Sequence, residues 1–240
     1  MAKSLFADAS YLPRGIFALA IFALVLGVLF HSHFPFEIQA QQPLIAAAIQ
    51  PLAIKPPASL SGDVFLGLAA TVGETAPAEH LMDYKVKFDP TSQPRYWAIV
   101  DFNQPSTSKR LYVFDTMEKK VEAYYVAHGR GSEGSRDDGI ADVFSNQNHS
   151  NSSSLGIYRT LDQYNGQHGR SLRLEGLETT NSNVLTRGVV MHTADYVSES
   201  FIRQTGRLGR SEGCFAVERS VGDTLINELK NGAYIIASKN

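Results

Sequence analysis

The alternation of apolar and polar positions divides the chain into three parts. Near the N-terminus, residues 15–30 form an uncharged apolar run, GIFALAIFALVLGVLF. The part at 41–87 opens with several Pro and Ala residues, and its prolines break any continuous helix. Short apolar runs then alternate with polar turns. The pattern predicts an N-terminal segment at 1–40, a tether with a weak helical lead-in at 41–87, and one folded domain at 88–240.

The folded part contains six short runs that are rich in aromatic and β-branched residues, a composition typical of β-strands. These runs are 96–102, 110–115, 121–127, 154–160, 171–177 and 188–193. A further strand, AYIIAS, is predicted at 233–238, close to the end of the chain. We therefore expect a mainly β domain.

Two short helices are predicted within this β domain. The first covers 196–204. The second follows Ser220, because apolar residues recur there at helical spacing, and Ser220 and Asp223 have the spacing of a capping box. An Asn-Gly pair at 231–232 is expected to end this helix.

A long polar stretch at 129–154 interrupts the strands. Loops of this length in a compact domain are either functional or disordered, and the sequence leaves both open. Gly129, Gly131 and Gly134 match the spacing GxGxxG, but no helix pattern follows them, and dinucleotide binding requires one. The glycines instead predict a turn where two backbones approach closely.

Composition and charge exclude several function classes. The chain has 240 residues, enough for one sizeable core, and its net charge of -2 gives no basic excess for nucleic acid binding. A single Cys excludes an internal disulfide and a CxxC metal site. The seven His are scattered without ligand spacing. We therefore predict no nucleic acid partner, no metal site and no cofactor.

The apolar run at 15–30 has the flanks of an export signal. Lys3 and Arg14 precede it, and the small residue Ala40 follows at a position suited to cleavage. An uncleaved membrane anchor with its positive end in the cytoplasm fits the same residues. Both interpretations place the rest of the chain outside the cytoplasm.

The most informative residues for chemistry are His192 and Cys214. His192 lies at the end of a predicted strand, and Cys214 follows 22 residues later, after Ser211-Glu212-Gly213. A thiol acts as a nucleophile when a base or a positive field assists its ionisation and when backbone N–H groups stabilise the oxyanion. His192 is the candidate base, and Gly213 leaves room for a carbonyl to approach the Cys214 amide.

Three arginines lie close to this thiol in sequence. Arg203, Arg207 and Arg210 are expected to supply positive potential to it. The alternative interpretation is that Cys214 is a small buried apolar residue and the arginines form a solvated surface. Export favours the nucleophile, because an unpaired thiol in an oxidising compartment requires a reason.

These residues resemble a known family. His192 together with Ser211-x-Gly213-Cys214 is similar to the signature of the murein L,D-transpeptidases of the YkuD type, in particular their Gram-negative branch. Separate blocks occur in the family's order between about residues 90 and 240. These blocks are HGRGS, SSLGIYRT, HGRSLRLEGLE, MHTADYVSE and GRLGRSEGCFAV.

The resemblance implies a mainly β fold with a few short helices, an L,D-transpeptidase-like β-sandwich. It implies that Cys214 is the nucleophile and His192 the base, that the Gly213 and Cys214 amides form the oxyanion hole, and that Ser211 shapes the turn. Beside this resemblance, Arg207 and Arg210 are candidates to hold a stem-peptide carboxylate, with a solvated surface as the alternative, and Tyr196 is a candidate to line the cleft.

For the partner that orients His192, Asp195 and a backbone carbonyl both stay open. His128, at the head of the Gly-rich stretch, is a residue that can border the site.

The implied substrates are peptidoglycan stem peptides in the periplasm or cell envelope, with residues 15–30 as a link to the inner membrane. The implied reaction is attack on the bond between diaminopimelate and D-alanine, followed by acyl transfer to an amine. With water as acceptor, the same site would be a carboxypeptidase or endopeptidase. Glu212 replaces the residue usual in the family, which keeps a third hypothesis open, a catalytically silent envelope-binding module.

Overall fold

The structure, a computed structural model, describes residues 60–239. The predicted export segment and the first part of the tether lie outside the described residues. Within 60–239 the helices are α1 (Leu60–Thr71), α2 (Thr75–Phe88), α3 (Glu199–Thr205) and α4 (Arg219–Leu229), and a single 3-10 turn covers Arg130–Ser132. The strands of the same part are β1 (Tyr96–Asp101), β2 (Leu111–Asp115), β3 (Lys120–Tyr124), β4 (Val126–Ala127), β5 (Gly156–Gly166), β6 (Gly169–Gly176), β7 (Val190–Thr193), β8 (Phe215–Val217) and β9 (Tyr234–Ser238).

All of these strands join one sheet in the order β3-β2-β1-β9-β5-β6-β7-β8-β4. The pairs β1–β9 and β7–β8 are parallel, and the remaining neighbours are antiparallel. The two edge strands, β3 and β4, are separated in sequence only by Tyr125. The sheet therefore curls back on itself and nearly closes, which confirms the prediction of a mainly β fold with few short helices.

Alternation along the strands produces a buried core on each face of the sheet. The inner core is formed by Val100, Leu172, Met191, Phe215 and their neighbours, and α4 contributes to it. The outer core lies between strands β1, β2, β5 and β9 and the helices α1 and α2. In the parallel pair β7–β8, the buried apolar side chains of Met191 and Phe215 therefore determine which face of the two strands points to the inner core.

The helices α1 and α2 extend the domain toward the N-terminus. Gly73, with φ of +82°, separates them, and Pro77 lies in the first turn of α2, where a proline is tolerated. Phe65 of α1 is fully buried and stacks on Trp97 of β1 at a centroid distance of 4.7 Å. The packed core therefore begins before residue 88, where the sequence pattern placed the start of the domain.

Both helices that were predicted inside the β domain occur, but their starts differ from the prediction. Helix α3 starts at Glu199 because the Ser198 side chain accepts a hydrogen bond from the Phe201 N–H. The capping box of Ser220 and Asp223 is wrong. Helix α4 starts at Arg219, so Ser220 already lies within its first turn.

In the part of the chain that the structure describes, no helix combines the length and apolar character needed to cross a membrane.

Candidate active site

Neighbouring parallel strands bring His192 and Cys214 to the same face of the sheet. Met191 of β7 is paired with Phe215 of β8, and both side chains lie in the inner core. His192 follows Met191 and Cys214 precedes Phe215. Because side chains alternate along a strand, both point away from that core.

The two side chains line one cavity of about 520 Å³. Cys214 is partly exposed, whereas His192 is only 3% exposed. Tyr196 and Arg210, two of the predicted substrate-binding residues, also line this cavity, and so do Ser211 and Glu212. The cavity is therefore lined by one thiol, three imidazoles and two guanidinium groups.

The imidazole of His192 is oriented by its own strand. Its Nδ1 lies 2.9 Å from the backbone carbonyl oxygen of Thr193, and because a carbonyl only accepts, Nδ1 carries the proton. Nε2 is then the unprotonated nitrogen that can take a proton. Asp195 instead pairs with Arg219 at the surface. Of the two open alternatives, the structure shows the backbone carbonyl as the partner of His192.

Burial favours the neutral forms of both groups. It lowers the pKa of His192 below its ordinary value, and it raises the pKa of the Cys214 thiol above its ordinary value. For Cys214, a hydrogen bond from the Val190 backbone and the charge of Arg187 act in the opposite direction, while the charge of Glu212 raises the pKa further. The resting site therefore contains a thiol and a neutral imidazole rather than an ion pair.

A tight turn over 211–214 presents the thiol. The Ser211 hydroxyl accepts a hydrogen bond from the Gly213 N–H at 3.1 Å and donates one to the Cys214 carbonyl at 2.7 Å. The Gly213 N–H is consequently used inside the turn, contrary to its expected role in an oxyanion hole. Of the expected pair of donors, the Cys214 N–H is the remaining candidate.

Gly213 is required by both its conformation and its surroundings. Its φ is +111°, and a Cβ atom there would lie 2.7 Å from the Ser152 carbonyl oxygen and 3.0 Å from a guanidinium nitrogen of Arg187. Gly206 also has a positive φ, +83°, but nothing lies within 4 Å of its Cβ position.

We expect Gly213→Ala to lower the free energy of unfolding by about 1–3 kcal/mol more than Gly206→Ala, since only the former adds a close contact to the backbone strain. Urea unfolding of the two variants measures this difference. The rate of Cys214 alkylation should change only in Gly213→Ala. An equal decrease of the unfolding free energy in both variants would show that the contact between residue 213 and the polar loop does not affect stability.

The polar stretch at 129–154 packs directly behind this turn. A Cβ atom on Gly129 would lie 2.3 Å from the Asn151 carbonyl oxygen and 2.8 Å from the Gly213 backbone nitrogen. A Cβ atom on Gly131 would lie 2.2 Å from the Ser150 carbonyl oxygen. The close backbone approach predicted for the Gly-rich stretch is confirmed.

The arginines that were expected to supply positive potential have other partners. Arg203 is exposed and pairs with Glu199, and Arg207 pairs with Asp137, outside the lining of the Cys214 cavity. The expectation that Arg207 contacts substrate in this cavity is therefore contradicted by its position.

Arg210 does line the cavity, but its charge is compensated. Its Nε lies 2.5 Å from a carboxylate oxygen of Glu133, and its guanidinium also pairs with Asp137. The arginine that acts on the thiol is Arg187, which the sequence did not single out. The positive potential at the thiol thus comes from the half-buried Arg187, in the segment before β7, and not from the three arginines that were predicted to supply it.

His128 lies beneath the cavity rather than at its border. Its Nδ1 accepts a hydrogen bond from Arg110 at 2.8 Å, so its Nε2 carries the proton and donates to Glu133 at 2.7 Å. Arg110 and His128 are almost fully buried. Burial, together with the charge of Arg110, lowers the pKa of His128 to about 4. This chain of contacts ends at Arg210 and fixes that side chain at the cavity wall.

The lowered pKa of His128, about 4 against 6.5, makes the fold sensitive to acid. Between these values the unfolded chain binds the proton and the folded chain does not, so stability falls as pH decreases. We expect this group to contribute a loss of up to about 3 kcal/mol between about pH 7 and pH 4.

Urea unfolding at several pH values tests this expectation in the wild type and in His128→Gln. The variant should be less stable near neutrality but should lose less stability on acidification. His80→Gln, a change at a half-exposed histidine on α2, should follow the wild-type dependence. An identical acid dependence in His128→Gln would contradict the assignment of this effect to His128.

Two further residues belong to the site, Arg187 from the segment before β7 and His168 from the β5–β6 turn. Arg187 donates hydrogen bonds to the Ser145 and Ser152 carbonyl oxygens and so ties the polar loop to the cavity. His168, in the turn between β5 and β6, stacks on His192. The sequence does not show the contact of His168 with His192, because it depends on the pairing of β6 with β7. Among residues 60–239, no group of three or more His, Cys, Asp or Glu is placed to hold a metal ion.

The fold and the site together define a β-rich domain that presents a thiol and a neutral imidazole in one cavity. The chain belongs to the L,D-transpeptidase catalytic domain family, because the YkuD_2 profile of that description matches residues 73–237, more than half of the chain. The expected family and its fold are thereby confirmed.

The chain is similar to the L,D-transpeptidase from Mycobacterium smegmatis, with 12% identity and a TM-score of 0.37, over 60% of this chain and 59% of that one. The chain thus matches less than two thirds of that structure's length. Comparison with curated proteins gives no significant match.

Proposed function

We propose that this L,D-transpeptidase domain transfers acyl groups between peptidoglycan stem peptides through a thioester on Cys214. The observation that carries the proposal is the shared cavity of His192 and Cys214, in which Nδ1 of His192 is fixed by Thr193 and Nε2 is left to take a proton. The family supplies the substrate class.

In the first step, His192 accepts the thiol proton as the sulfur attacks the carbonyl carbon of the bond between diaminopimelate and D-alanine. General-base assistance is needed because burial keeps the thiol protonated at neutral pH. The protonated His192 then donates its proton to the departing amine of D-alanine. The products are a thioester on Cys214 and free D-alanine, with His192 neutral again.

In the second step, the amine of an acceptor stem peptide attacks the thioester carbonyl carbon. His192 takes the proton from the attacking amine and returns it to the sulfur, which leaves as a thiol. If water attacks instead, the same steps give a hydrolase, so the acceptor alone separates the two activities.

Three groups of the cavity are suited to hold the reacting peptide. The Cys214 N–H is the candidate donor to the oxyanion. Arg210 lines the cavity but is already paired with Glu133 and Asp137, so it is a candidate for a polar contact with the substrate rather than for a new ion pair. Tyr196 lines the cavity beside both. Its phenol stays protonated at neutral pH, because burial and the charges of Cys214 and Glu212 raise its pKa to about 12.

The site of action that fits this substrate is the periplasm or the cell envelope. The apolar run at 15–30, with Lys3 and Arg14 before it, supports export or anchoring in the inner membrane.

The test is incubation of the full-length protein and of Cys214→Ser with purified tetrapeptide muropeptides, followed by mass spectrometry. We expect the wild type to form cross-linked dimers with release of D-alanine and the variant to form none. Tripeptide monomers without dimers would assign the hydrolase activity instead. Binding of muropeptides without any product would assign the silent envelope-binding module.

A further inference from the structure

His168 makes a contact with His192 that the reaction scheme above does not use. The ring centroids of the two imidazoles lie 4.3 Å apart, and their planes differ by 20°, which is a stacked arrangement. His168 lies in the turn between β5 and β6 and is exposed, whereas His192 is buried. One face of the buried imidazole is therefore covered by an exposed imidazole from a hairpin tip.

His168 also lies where two cavities meet. A second cavity of about 440 Å³ adjoins the cavity of Cys214, and His168, His192, Tyr196 and Gln167 line both. Cys214 lines only the first cavity. The stacked pair of histidines thus lies at the boundary between the cavity that contains the Cys214 thiol and the second cavity, which does not contain it.

Two contacts orient the imidazole of His192, the hydrogen bond from Nδ1 to the Thr193 carbonyl and the stack with His168. The hydrogen bond restrains the ring at one atom and by itself allows the ring to tilt about that point. A stacked ring removes this freedom, since tilting His192 would lose the aromatic contact or drive it into His168. Orientation of a general base matters because small misplacements lower reaction rates strongly.

We propose that His168 is a positioning residue of this site, which holds the imidazole of His192 in the plane that directs Nε2 toward the thiol. The proposal rests on the proposed role of His192 as a base, although its structural part can be measured without turnover. His168 acts through His192 and forms no bond to the reacting atoms.

The stack also carries a charge effect. Burial lowers the pKa of His192, and a positive charge on His168 lowers it further, because two stacked imidazolium rings repel each other. The other ionisable groups in the first cavity are His149, Arg187, Arg210, Glu212, Cys214 and Tyr196. In the second cavity, the ionisable residues Asp195 and Arg219 form an ion pair with each other. Of all these groups, the charge of His168 is the one that contributes to the pKa of His192.

Two variants separate the ring contact from the charge. His168→Phe keeps an aromatic ring but has no charge, and His168→Ala removes both. His80→Phe is the matched control, because His80 lies on α2 outside both cavities. Two readouts apply to the full-length protein, namely the NMR titration of the His192 ring and the kcat and KM of muropeptide conversion.

In both variants we expect the pKa of His192 to rise toward the ordinary value, so that the acidic limb of activity moves to higher pH. His168→Phe should keep kcat near neutrality within about twofold, whereas His168→Ala should lower kcat by about tenfold or more with little change in KM. His80→Phe should match the wild type in all measurements.

An unchanged kcat in His168→Ala would overturn the proposal, because a shifted titration of His192 alone would report only the lost charge. A loss confined to KM would also overturn it, because it would make His168 a substrate contact. If the wild type itself converts no muropeptide, the proposed function fails, but an upward shift of the His192 titration in both variants would still show that the His168 imidazole lies against His192.

Discussion

Replacing Cys214 with Ala is expected to abolish covalent labelling of the full-length protein by a carbapenem. The wild type should gain the mass of one carbapenem, because the thiol opens the strained lactam ring and no group leaves. Cys214 is the only cysteine of the chain, so no other thiol can take the label. Intact-protein mass spectrometry under reducing conditions measures the change from one adduct to none.

The control for this prediction is a variant that disturbs the same turn without removing the thiol. Glu212→Gln keeps Cys214 and removes a charge that raises its pKa, so labelling should persist and should be somewhat faster. Labelling of Cys214→Ala at the wild-type level would contradict the assignment of the nucleophile. An unmodified wild type would also contradict it.

Replacing His192 with Gln should lower the rate of carbapenem labelling by about 10²–10⁴-fold near neutral pH. The resting thiol is protonated because burial raises its pKa, and His192, which lines the same cavity and has an unprotonated Nε2, is the proposed acceptor of the proton. Gln can keep a hydrogen bond to the Thr193 carbonyl but cannot act as a base. Stopped-flow or quenched mass spectrometry over a range of pH measures the rates.

The pH dependence separates loss of a base from loss of structure. As pH rises through the pKa of the thiol, hydroxide replaces the base, and the difference between His192→Gln and the wild type should shrink. In the wild type, labelling should decline on acidification only below the ordinary pKa of histidine, because the pKa of His192 is lowered. His80→Gln should behave as the wild type. A deficit of His192→Gln that stays constant to high pH would contradict the base assignment.

The strands could be predicted from the sequence because each one is a short run of aromatic and β-branched residues, and such a run is visible without knowledge of the fold. The runs around Trp97, Tyr112 and Ile157 are dense in aromatic and β-branched residues, and each forms a strand. The cap of α4 was predicted wrongly. The helix starts one residue before Ser220, so that side chain cannot act as the N-cap.

The chemistry of the site was only partly predictable. His192 and Cys214 carry strong local signals, a histidine at a strand end and a cysteine after a glycine turn. The partners of the arginines depend on tertiary contacts instead. Arg207 and Arg210 meet acidic residues of the polar loop, such as Asp137, some 70 positions away in the chain, and this contact removes them as an activating field.

Arg187 and His168 were missed for the same reason. Arg187 reaches the thiol because it also holds the carbonyl groups of the polar loop, and His168 reaches His192 because β6 pairs with β7. Neither contact leaves a periodicity or motif in the sequence. Residues that tune a reactive group from another strand or loop therefore require the fold before they can be recognised.

The most direct measurement is trapping of the acyl-enzyme with a natural stem peptide. The full-length protein is mixed with a tetrapeptide muropeptide, quenched in acid during turnover and digested, and the peptide that contains Cys214 is analysed by mass spectrometry. We predict that this peptide carries the stem acyl group, without D-alanine, in a linkage that hydroxylamine cleaves. Product formation with Cys214 unmodified, and at an equal rate in Cys214→Ser, would contradict a thioester on Cys214.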